Sequence, residues 1–279
     1  MSIKTILVPL DELPRCHLRV ELAAWLAQQH GAHLVGLSPT GLFEMPVQLG
    51  ATLGGATDYL QLSYSYLDQR AHEIATEFKA EARKLGVASF EARVVEAEPL
   101  PATVMHARGS DLIVVGQTDP GSVAPMATDF PQQVAMHTGR PVLVMPFAGR
   151  FATLGSNVLV AWRATREASR AVSDALPFLE RARKVHVLCF TSSEDESEAN
   201  RPEFDETLAW MRRHGIQATG SLEITSLDVG NALLSRAADL GSDLIVMGCY
   251  GHSRLKELAL GGATRTLLHS MTVPVLMSH

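Results

Sequence analysis

Two stretches of this chain are near copies of each other. Ser110-Asp111-Leu112-Ile113-Val114-Val115-Gly116 and Ser242-Asp243-Leu244-Ile245-Val246-Met247-Gly248 lie about 132 residues apart. Pro141-Val142-Leu143-Val144-Met145 matches Pro274-Val275-Leu276-Met277-Ser278 at about 133, and Ile6-Leu7-Val8 matches Val158-Leu159-Val160 at about 152. The chain is therefore a tandem duplication. Each copied segment is a short apolar run, the pattern of a strand buried on both faces of a parallel sheet. The change in separation, roughly 20 residues, places surplus chain in the first half. It falls on residues 39–58, rich in Gly, Pro, Thr and Met and without a clear period, which read as a surface excursion or lid.

Helical patterns alternate with these strands. Leu18, Leu22, Trp25 and Leu26 form an apolar stripe over 16–30, with Gly31 as its stop. A longer helix is expected over 59–85, and shorter ones over 101–108 and 132–138. Strands are expected at 3–9, 33–37, 90–95, 111–115 and 142–145. The second half repeats the order. Its strands fall at 158–161, 185–190, 218–224, 243–247 and 273–277, and its helices near 167–181, 204–214, 229–240 and 263–269. Glu194-Asp195-Glu196-Ser197-Glu198 reads as a solvated loop. The fold class is α/β: two tandem domains, 1–147 and 157–279, each a five-stranded, doubly wound parallel sheet with helices on both faces. Residues 146–156 link them. The apolar last strands, 142–145 and 273–277, read as sheet edges that invite the halves to pack together and chains to form a homodimer.

With 279 residues, 46% hydrophobic and 19% charged, the composition is that of a globular protein. A net charge of −6 gives no general footprint for nucleic acid. Cys16, Cys189 and Cys249 form no C-x-x-C pair, and the first apolar run is stopped at once by Asp11 and Glu12. The expectation is a cytoplasmic protein with no membrane span, no structural disulfide and no metal site.

In doubly wound sheets, ligands bind beyond the carboxyl ends of the strands where the winding reverses. The relevant loops start at Asp11 and Gly116 in half one, and at Trp162 and Gly248 in half two. Only the last carries the glycine pattern intact: Gly248-Cys249-Tyr250-Gly251, then Gly261-Gly262. A glycine loop between a strand and a helix presents backbone N–H groups to phosphate. In half one Asp119 and Asp129 stand near the second and third glycine positions, and acids facing a phosphate repel it.

These residues resemble the universal stress protein family in its tandem form, across essentially the whole chain. Its nucleotide-binding members carry Gly, two residues, Gly, nine residues, Gly, then Ser or Thr. Here Gly248, Gly251 and Gly261 keep the spacing, while Gly262 replaces the hydroxyl residue and Thr264 follows two positions on. The resemblance implies a flavodoxin-like sheet in each half, with ATP, or another small phosphate ligand, held in half two by backbone from Gly248 to Gly251 and from Gly261 through Gly262 and Ala263 to Thr264. His252, Ser253 and Arg254 lie within the loop, and Arg254 is placed to neutralise a phosphate. The family's aspartate after the first strand corresponds to Asp11 in half one, but to Arg163 after Ala161 in half two. Each half thus holds one fragment of the family site. Trp162 reads as an aromatic packing on its helix.

The expected function is a stress-response binding protein without dedicated catalysis. An interaction scaffold for an unknown protein partner, with a vestigial cleft, is the alternative. An ATP-hydrolysing enzyme would need a metal-binding acid near the loop, where only Asp243 and Glu257 are close in sequence.

Overall fold

The computed structural model describes residues 2–41, 56–118, 129–250 and 262–279. Half one runs β1 (Thr5–Pro9), α1 (Cys16–His30), β2 (His33–Pro39), α2 (Ala56–Lys84), β3 (Phe90–Val95), α3 (Pro99–Ala107), β4 (Leu112–Gly116), α4 (Phe130–His137) and β5 (Val142–Met145). Half two runs β6 (Asn157–Ala161), α5 (Arg166–Asp174), α6 (Leu176–Leu179), β7 (Lys184–Thr191), α7 (Glu194–Arg213), β8 (Ala218–Ile224), α8 (Val229–Asp239), β9 (Leu244–Gly248), α9 (Ala263–Ser270) and β10 (Val275–Ser278). The expected order is observed in both halves. The excursion expected at 39–58 falls largely outside the described residues.

All ten strands form one sheet in the order β3-β2-β1-β4-β5-β10-β9-β6-β7-β8. Within each half every pair is parallel, and the first strand lies between the second and the fourth. Side chains alternate between two buried clusters, one on each face. Val158, Val160, Leu244 and Val246 belong to the first, and Leu159, Ile245 and Met247 to the second. Burial on both faces is why these strands are continuously apolar.

The sheets of the two halves join through one antiparallel pairing, β5 with β10, in which Val275 faces Val144 and Met277 faces Val142. The last strands are therefore edges of their own halves, as expected, but they are consumed by each other. That pairing removes the reason given for a homodimer through these edges, since their backbone groups are already satisfied. It also reverses the strand direction between the halves. The carboxyl ends of β1 and β4 open on one rim of the sheet, and those of β6 and β9 on the opposite rim.

Two expectations are corrected. The acidic stretch from Glu194 is the first turn of α7, not a loop. Ser193 accepts from the Glu196 N–H at 3.2 Å, and Glu196 reaches back to the Ser192 N–H at 2.7 Å, a capping arrangement next to the positive end of the helix. The single helix expected over 167–181 is broken at Ala175, where Pro177 cannot supply the N–H that would continue α5 into α6. Among the described residues no helix is long and apolar enough to cross a membrane.

Candidate functional site

The two rims are built from equivalent segments but filled differently. In half one the loop after β1 carries Asp11. Its carboxylate accepts from the Leu13 N–H at 3.0 Å and pairs at 2.6 Å with Arg19 from α1. Arg19 is 6% exposed and also donates to the Pro9 carbonyl at 3.0 Å and to Cys16 Sγ at 3.4 Å. Its other terminal nitrogen lies over Gly116, 2.9 Å from where a Cβ would stand. The rim between β1 and β4 is therefore occupied by a guanidinium from within the protein.

The next residue along, Gln117, closes the same rim toward the other half. Its side chain donates to the carbonyls of Leu268 (2.8 Å) and His269 (3.0 Å) at the end of α9, and accepts from the Phe147 N–H at 2.9 Å. The position that should open a phosphate loop in half one is instead a fastener between halves. Sequence reasoning missed Arg19 and Gln117, since neither spacing is diagnostic until the sheet brings the partners together.

In half two, β6 ends at Ala161 directly beside Met247 of β9, so Ala161 and Gly248 lie together on one rim. By the 152-residue offset, Arg19 corresponds to Ala171 and Asp11 to Arg163. Without a long side chain on the helix, α5 approaches the strand end closely. A Cβ on Gly248 would stand 2.5 Å from the Glu167 carbonyl carbon and the Ala168 nitrogen. Packing of α5 on β9 alone thus requires glycine at 248, whatever the loop beyond it does. Glu167, which the sequence did not single out, sits at this contact with its carboxylate paired to Arg166.

Arg163 is exposed, and no ion pair to it is formed among the described residues. Burial pushes the Cys189 thiol up, and Arg163 opposes that rise. Glu196 is held below the usual carboxylate range chiefly by its bonds to Ser192, with Arg163 a smaller cause. Half two thus replaces the buried Asp11–Arg19 pair with an open cation at the strand end. Trp162 packs against the core, as expected.

Beyond Gly248 the chain turns at Tyr250, whose φ of 59° is left-handed. Such a conformation in a bulky residue is strained and recurs at ligand sites. Gly251, His252, Ser253, Arg254 and Gly261 lie outside the described residues. The chain re-enters at Gly262, which caps α9 without a side-chain hydrogen bond; Ala263 and Thr264 form the first turn, with Thr264 buried. Among the described residues, neither the Ala263 nor the Thr264 N–H has an acceptor. A helix joining two parallel strands starts at their carboxyl rim, so this turn belongs to the Ala161–Gly248 rim. Asp11 belongs to the opposite rim and cannot join that crevice.

Of the acids considered for metal-assisted hydrolysis, Asp243 lies at the wrong end of β9. It accepts from the N–H groups of Gly155, Ser156 and Asn157 at 2.9 to 3.1 Å. Asp111 does the same for Lys4 and Thr5 in half one. The duplicated Ser-Asp is a fastener at the start of the sheet. Glu257 lies outside the described residues.

A doubled parallel α/β protein whose two strand-end rims lie on opposite edges of one sheet is the class that the fold defines. More narrowly, the chain belongs to the universal stress protein family, whose sequence pattern matches twice, over residues 2–146 and 156–279. The fold resembles that of a universal stress protein from Archaeoglobus fulgidus DSM 4304, with a TM-score of 0.76 at 15% identity, covering 99% of this chain and 96% of that one. It also resembles a functionally unknown protein from Pseudomonas aeruginosa PAO1, with a TM-score of 0.59 at 15% identity, covering 99% and 92%. No curated protein matches the chain.

Proposed function

We propose that the chain is a stress-response binding protein that takes an adenine nucleotide such as ATP, or another phosphate-bearing ligand, on the half-two rim without dedicated catalysis. The observation that carries this reading is the first turn of α9, at the rim where β6 and β9 end, whose Ala263 and Thr264 N–H groups have no acceptor among the described residues. Backbone donors at a helix start favour an anion, and the open Arg163 adds a cation on the same rim. The sequence from Gly248 to Gly262 keeps the family's glycine spacing at Gly248, Gly251 and Gly261. Half one serves as the structural copy, its rim filled by Arg19 and Gln117.

The test is equilibrium dialysis with Mg-ATP and with the nucleoside alone. Binding of ATP that is lost in Gly251→Asp, and weakened in Arg163→Ala, supports the reading. An affinity unchanged by Gly251→Asp removes the glycine loop from the account. A partner captured equally by wild type and Gly251→Asp, with no nucleotide response, favours the scaffold alternative.

A further inference from the structure

On the outer side of half one, a cavity of about 370 Å³ opens between the loop after β1, the start of α1 and the later turns of α2. It is formed wholly within one half and lies on the rim opposite the proposed nucleotide crevice. Its size sits within the range of small-molecule pockets, roughly 300–1,000 Å³. The floor is apolar: Leu10, Val20 and Phe78 are each at most 5% exposed, and Ile74 packs beside them.

The rim has one dominant sign. Four carboxylates, Asp11, Glu12, Glu77 and Glu81, line it against a single guanidinium, Arg70, and one imidazole, His17. Arg70 is already spent, since it bonds both Glu12 and Glu73. Asp11 is neutralised by Arg19, and Glu81 faces Lys84 at 3.1 Å. Glu77 has no ion pair among the described residues. An anionic ligand would meet repulsion here, and a neutral one would leave the excess negative charge unanswered. A cation with an apolar body satisfies both parts of the lining.

The geometry points to a binding site for a small organic cation, an apolar amine whose hydrocarbon rests on Val20, Ile74 and Phe78 while its ammonium faces Glu77 and Glu12. The site needs no nucleotide and no residue of the half-two crevice. Cys16 lines the same cavity, whereas Cys189 and Cys249 are buried, which makes its thiol a reporter of occupancy.

The test uses the full chain and three matched probes: naphthylethylamine, naphthylethanol and naphthylacetate. Affinity is read by calorimetry, and location by protection of Cys16 from iodoacetamide at about pH 8, where the amine is still charged. The expected order is amine, then alcohol, then acid, with saturable protection of Cys16 by the amine. Glu77→Gln, an exposed change that leaves the fold intact, should weaken the amine about 2- to 5-fold, the size of an exposed charge pair, and leave the alcohol unchanged. Ile74→Trp should fill the cavity and abolish both. Equal binding of amine and acid, an amine affinity indifferent to Glu77→Gln, or unprotected Cys16 at saturating amine each overturns the assignment.

Discussion

Replacing Arg19 by methionine tests how the half-one rim is held. The Arg19 and Asp11 side chains are 7% and 14% exposed and lie 2.6 Å apart. Methionine matches the aliphatic stem but removes every donor, so Asp11 keeps only the Leu13 N–H and the Pro9 carbonyl loses its guanidinium partner. Breaking a buried pair from one side typically costs about 3–5 kcal/mol. The residual exposure of Asp11 and its remaining bond place this case near the lower end, about 3 kcal/mol. Asp11→Asn should cost a similar amount, because it strands a buried cation. The double change Asp11→Leu with Arg19→Met leaves neither charge uncompensated. It should cost no more than either single change, a non-additivity of about 3 kcal/mol. Urea unfolding, followed by tryptophan fluorescence with Trp25 on the same helix, supplies the midpoints and slopes. Effects that add to within about 0.5 kcal/mol would refute the claim that the two charges are held by each other.

Gln117→Leu should leave three backbone groups without their partner and destabilise the seam by about 2–3 kcal/mol, with faster amide exchange at Phe147 and no change in β7 or β8; uniform exchange rates would count against a fastening role. Gly248→Ala forces α5 away from β9 and should cost about 1–3 kcal/mol even without ligand, whereas a neutral substitution would return Gly248 to a purely ligand-facing role. The bond to Arg236 holds the Glu223 carboxyl below its usual 4.5. Because the folded value is depressed, this stabilisation is complete above about pH 5 and is lost as pH falls through the folded value. The stability difference between wild type and Glu223→Gln should therefore be constant near neutrality and shrink in acid; a difference that persists unchanged at about pH 3 would contradict it.

The strands and most helices are legible in the amino-acid pattern because their cause is local. A strand covered on both faces must be apolar throughout, as at 142–145, which has the bounds its residues predict; the half-exposed outer strands at 90–95 and 218–224 also have their expected bounds. The duplication is visible for the same reason. The helix start at Ser193 escapes such reading, because its acids look like a solvated run until Ser193 accepts from the Glu196 N–H and Glu196 accepts from the Ser192 N–H. At the crevice, the glycine spacing marks the loop, yet it cannot say why Gly248 is glycine. That depends on α5, 81 positions earlier at Glu167, coming into contact with it.

By itself the amino-acid sequence determined the doubled α/β architecture, the family and the half that carries a glycine loop, since periodicity and spacing are properties of neighbours along the chain. The tertiary structure alone decided that the two rims face opposite ways, that Arg19 and Gln117 close one of them, and that Asp11 cannot complete the other. Apart from the placing of Arg19, which is internal to half one, those outcomes follow from a single antiparallel pairing of β5 with β10. Strand direction across such a seam is set by which edges meet in space, and no local pattern encodes it.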